Sequence, residues 1–114
     1  MSVKISTRQV GDVTVAEVAG KLTLGEASGT FREALRNLIS QGQKKILLNL
    51  GSVSYMDSSG IGELVAAYTT VTSAGGTLKL LNLTHRVQTP LQSTKLYTVF
   101  EVFDDETTGV KSFV

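Results

Sequence analysis

The chain has 114 residues, 41% of them hydrophobic, which suits one globular domain built around one core. A net charge of +1, with Lys4, Arg8, Lys44 and Lys45 scattered rather than clustered, gives little pull toward nucleic acid or an acidic membrane surface. The absence of cysteine excludes a disulfide framework, a thiol nucleophile and any Cys-ligated metal, and no stretch approaches the roughly 18 apolar residues of a membrane span.

Met1-Ser2-Val3-Lys4 lacks the charged-then-apolar pattern of a signal peptide, so a cytoplasmic protein is expected. Val3 to Thr7 alternates like a half-buried strand, Gly11-Asp12 supplies a turn, and Val13 to Val18 reads as a second strand, which predicts an opening hairpin. After Gly20 the period changes. Ala27, Phe31, Leu35, Leu38 and Ile39 recur at three and four residues, with Arg32, Glu33, Arg36 and Asn37 on the other side: an amphipathic helix closed by Gly42. Lys45 to Leu50 is short and apolar apart from Lys45 and Asn49, as a central strand covered on both faces is.

A short connection leads to a second helix starting near Ser58 or Ser59, with Ile61, Leu64, Val65, Tyr68 and Val71 or Thr72 along one side and Gly75-Gly76 at its end. Thr77 to Asn82 follows as a strand. A third helix is expected from Thr84, with Val87 and Leu91 inward and Pro90 disturbing or shortening it by removing a backbone donor. Val99 to Phe103 reads as the last strand, and the tail from Asp104 to Val114 can form a helix packing Val110 and Phe113. The order is β-β-α-β-α-β-α-β with a further helix in the tail. This is an α/β chain, a single domain over 1–114, with a mixed, mostly parallel sheet reached by right-handed crossovers.

In such sheets, sites gather where a strand ends and the next helix begins. Asp57-Ser58-Ser59-Gly60 lies at that place. Aspartate and serine oxygens accept from the free N–H groups of a first helical turn, and many such stretches only cap. The same N–H groups and the helix dipole favour an anion, by about 0.3–1 kcal/mol at an exposed site, so a phosphate on one of these serines meets a receptive field.

Gly20-Lys21-Leu22, then a helix, then Lys45 to Leu50, then Val53-Ser54-Tyr55-Met56-Asp57-Ser58-Ser59-Gly60-Ile61-Gly62, resembles the STAS domain of bacterial anti-sigma factor antagonists. The resemblance covers nearly the whole chain, and its most specific part is the strand followed by Asp-Ser-Ser-Gly-apolar-Gly. It implies a protein that, unphosphorylated, binds an anti-sigma factor that is also a serine kinase, and so frees a sigma factor. The kinase then phosphorylates a serine and a phosphatase reverses this. Carried onto this chain, the modified residue is Ser59. Asp57, Ser58 and Gly60 flank it in the docking surface, and Thr23, in the loop after the second strand, lies close by. Members with this switch often carry Gly-Glu-Leu-Asp where this chain has Gly20-Lys21-Leu22-Thr23. Thr23 therefore removes a carboxylate from the partner-facing loop, or simply caps the first helix.

Other chemistries fit less well. Gly-x-Ser-x-Gly is absent around Ser58 and Ser59, and a hydrolase would depend on His85, the one histidine, as its base. Asp104-Asp105-Glu106 reads as a solvated turn or helix start rather than a metal site, and Gly60-Ile61-Gly62 is too short for a dinucleotide fingerprint. The expectation is a non-enzyme with no cofactor, no metal, no direct nucleic-acid contact and no membrane association. A STAS scaffold or transport-associated regulatory subunit is the alternative.

Overall fold

The computed structural model describes residues 3–23, 25–93, 95 and 98–113. The side chains of Glu26, Ala27, Ser28 and Pro90 lie outside the described set, so Ala27's place on the first helix is not assigned. Strand β1 (Val3–Val10) turns at Gly11, in left-handed backbone with φ 63°, and pairs antiparallel with β2 (Val13–Leu22). Helix α1 (Glu26–Ser40) follows, then β3 (Lys45–Met56), α2 (Ser58–Ser73), β4 (Thr77–Leu81), α3 (His85–Ser93), β5 (Val102–Phe103) and α4 (Glu106–Lys111). The five strands lie in chain order, β1-β2-β3-β4-β5, with every pairing after the hairpin parallel.

Because each crossover steps the same way across the sheet, α1, α2 and α3 share one face. Phe31 and Leu35 of α1, Leu64 and Val71 of α2, and Val87 and Leu91 of α3 pack there on Ala16, Val18, Ile46, Leu48, Leu78 and Leu80. The alternate strand residues Val13, Val15, Leu47 and Leu81 face the other way and are covered by Phe113, with Val110 partly buried beside it. β3 is thus the central strand covered on both faces that its near-continuous apolar run predicts. α3 runs through Pro90 but is nine residues long, against fifteen and sixteen for α1 and α2.

Two expectations need correction. β3 does not stop at Leu50. It continues through Gly51 to Met56 because the far half of β2 pairs with it, with register irregularities between Glu17 and Ala19 and between Gly20 and Lys21. β5 is shorter than Val99–Phe103: Phe100 turns into the core and meets Tyr68 edge-to-face, with ring centroids 5.5 Å apart, while Val99 stays exposed. The residue at the N-cap position of α1 is Gly25, at φ 102°, two residues beyond Thr23.

Candidate partner-docking site

Asp57 ends the β3 ladder in extended backbone and caps α2: its Oδ1 accepts from the Gly60 N–H at 3.0 Å, while its carbonyl accepts from the Ile61 N–H at 3.1 Å. The capping role read from the sequence is real, and it fixes where the first turn points. Gly60 is inside that turn and buried. A Cβ there would meet the Leu22 carbonyl and Met56 Cγ closer than 3.0 Å, a separation that real Cβ atoms essentially never show. Gly60 therefore lets α2 start against the end of β2 and offers no side chain to a partner.

The seating presents the two serines outward. Ser58 is exposed and Ser59 half-buried, and neither hydroxyl is hydrogen-bonded to another described residue. Leu22 pairs with Met56, so Thr23, half-buried, leaves the sheet beside Asp57, and the predicted closeness of the two loops holds. One position earlier Lys21 pairs with Tyr55, a large hydrophobic residue that is nevertheless 44% exposed. An exposed tyrosine is a common interface anchor.

A feature that sequence reasoning missed lies one turn into α2. Arg32 of α1 forms a forked pair with Glu63: Nη2 is 2.5 Å from Oε2 and Nε is 3.3 Å from Oε1. Hydrogen bonding to Glu63 holds the Arg32 guanidinium above its usual range, so it stays charged. Beyond the pair a groove of about 300 Å³ runs between the helices, lined by Phe31, Leu35, Arg36, Ala66 and Thr70 among others. The only sequence signal for the pair is a charge on each of two neighbouring helices, too common to single out.

The residues considered for other chemistry sit elsewhere. His85 is exposed at the start of α3, and no hydrogen bond joins it to Ser58 or Ser59 among the described residues. Asp105 caps α4 by accepting from the Thr108 N–H at 2.9 Å, and Glu106 pairs with Arg8, so two of the three tail acids have structural partners. Among the described residues no helix is long and apolar enough to cross a membrane.

The STAS domain model matches residues 4–109. The chain is 31% identical over 111 residues to the anti-sigma-B factor antagonist of Bacillus subtilis (strain 168), covering 97% of this chain and 100% of that one. The fold is similar to a crystal structure of an anti-sigma factor antagonist from Mycobacterium paratuberculosis, with TM-score 0.82, 16% identity, and 97% and 93% of the two chains covered. It is also similar to the Bacillus cell fate determinant SpoIIAA in its phosphorylated form, with TM-score 0.75, 22% identity, and 97% and 100% covered. A strand-capped serine pair on a sheet of this order, matched over almost its full length, places the chain in a known class: it belongs to the STAS domain family.

Proposed function

We propose that this protein is an anti-sigma factor antagonist: a cytoplasmic, non-catalytic STAS domain spanning 1–114 that binds an anti-sigma factor with serine-kinase activity and thereby frees a sigma factor. The carrying observation is the pair of unengaged hydroxyls at the start of α2, held at the rim by the Asp57 cap and the Gly60–Leu22 seat. The name of the 31%-identical Bacillus subtilis relative supports the class of partner. Thr23, Asp57, Ser58 and Ser59 form the docking surface, with Gly60 shaping it from beneath.

Regulation follows from charge. The kinase transfers the γ-phosphoryl group of ATP to Ser59: the Oγ–P bond forms, the β–γ bridging bond breaks, ADP leaves and the hydroxyl proton goes to a base on the kinase. The phosphate adds about −1.5 to −2 charges beside Asp57. Burying that dianion at an interface without a cation costs several kcal/mol, and about 3 kcal/mol already weakens binding more than a hundredfold. The phosphate thus acts by blocking the interface, with little change of fold, and a phosphatase restores binding. Thr23, where related switches carry an acid, leaves the rim less negative and tunes partner choice.

Incubation with the candidate kinase and ATP, read by intact mass, tests this. A gain of one phosphate that Ser59→Ala abolishes is expected, and Ser59→Asp should bind the kinase more weakly. Phosphate gained elsewhere, or tight binding by Ser59→Asp, refutes the mechanism.

A further inference from the structure

Resting on the reading of Ser59 as the modified residue, we propose that Arg32 is the receiver of the phosphate, its guanidinium leaving Glu63 for the phosphoserine one turn away. The argument begins with topology. α1 links β2 to β3 and α2 links β3 to β4, on one face of a parallel run, so the two helices lie side by side with their N-termini at the same end. Ser59 and Glu63 are four residues apart on α2, neighbours on one helical stripe with Cβ atoms about 5–6 Å apart. The stripe continues through Ala66 and Thr70, which line the groove toward α1. Ser59 therefore tops the side of α2 that faces Arg32.

Helical side chains lean toward the N-terminus of their own helix. The Glu63 carboxylate accordingly covers the turn that carries Ser59, and the Arg32 side chain leans the same way. The two partners differ in freedom: the Glu63 side chain is 12% exposed and that of Arg32 51%. The acid is packed in place, whereas the guanidinium stands at the solvent side and can turn.

A phosphate on Ser59 outbids the carboxylate on two counts. It carries about twice the charge, and its three oxygens match the fork that Arg32 already presents to Glu63. Repulsion between phosphate and Glu63, on adjacent turns, is relieved when Arg32 lies against the phosphate. Among the described side chains, the other charged groups on the surrounding elements are Asp57 on the α2 cap, Glu33 and Arg36 on α1, and Lys21 at the end of β2. Asp57 is occupied by the Gly60 N–H, and Arg36 lies a further turn along α1. The exchange also changes the groove: Glu63 loses its cation, so the rim that was a neutral pair becomes acidic beside the phosphate.

The test installs phosphoserine at position 59 during translation of the full chain, so that it does not depend on any kinase. Phosphorus NMR follows the second ionisation of the phosphate in wild type, Arg32→Ala, Arg32→Lys and Glu63→Gln, with proton–nitrogen spectra confirming the fold. Arg32 favours the dianion, so the wild-type ionisation is expected about half a pH unit or more below that of Arg32→Ala. Glu63→Gln should fall lower still, and the Arg32 Nε–H signal should move on phosphorylation. Identical titrations in wild type and Arg32→Ala, with an unmoved Nε–H signal in wild type, overturn the proposal. Failure of any kinase to modify Ser59 strikes the proposed function instead and leaves this result readable.

Discussion

Gly60 and the Leu22 carbonyl touch backbone to backbone, so the first turn of α2 rests on the last residue of β2. That seat ties the helix bearing the serines to the loop bearing Thr23. Gly60→Ala has no room for its methyl and should destabilise the fold by about 1–3 kcal/mol, as overpacking of a tight site does. Chemical denaturation measures the loss. Partner binding should fall as well, because α2 can relieve the clash only by lifting from β2. An alanine variant as stable as wild type would show the seat to be loose.

Asp57 does a separable job. Asp57→Ala removes the acceptor for the Gly60 N–H and is expected to cost about 1 kcal/mol, whereas Asp57→Asn, still able to cap, should cost less. Thermal melts of the three proteins side by side decide it. Equal loss in both variants would mean that charge rather than capping is what matters.

On the opposite face of the sheet, Lys79 holds the end of the chain. Its Nζ donates to the Ser112 carbonyl at 3.0 Å and hydroxyl at 2.9 Å, pairs with Glu101 at 3.1 Å, and lies 4.8 Å from the centre of the Phe113 ring. Lys79→Met keeps the stem but strips these bonds, leaving a part-buried carbonyl unpaired, and should cost about 1–3 kcal/mol. Hydrogen exchange should quicken first in α4. Unchanged protection there would contradict the latch.

Two exposed carboxylates make stability depend on acid pH. The Lys45 ammonium holds Asp12 below the ordinary value of 3.8. The Thr108 backbone N–H holds Asp105 below the same value, helped by its hydroxyl. Because folding lowers these values, each contribution is complete above 3.8 and disappears as pH falls through the lower folded value. The melting gap between wild type and Asp105→Ala should therefore be steady near neutrality and close at strongly acidic pH. A gap that persists there would assign Asp105 a role that does not depend on its charge.

Much of this was legible in the chain. The apolar spacing of Phe31, Leu35 and Leu38, the turn at Gly11-Asp12 and the cap at Asp57 are local signals, and the elements formed where they pointed. What escaped depends on partners distant in sequence. Gly51 to Met56 looks like a connection because its glycine and serines carry no strand propensity; the far half of β2 makes it a strand. Phe100 leaves the last strand because Tyr68 awaits it across the core. Lys79, within the run Leu78-Lys79-Leu80, is buried through groups distant in sequence, Ser112 at the end of α4 and the Phe113 ring. Arg32 reads as outer-face charge until α2 brings Glu63 alongside.

The sheet is numbered the way it is written. Since each strand after the hairpin pairs with the one made just before it, a growing chain leaving the ribosome can add them outward one at a time, never waiting for a later segment to fill a gap. The six-residue α4, which follows β5 in the chain, shields the face that Val13, Val15 and Leu47 leave bare, so that side of the sheet stays uncovered until all five strands have been made.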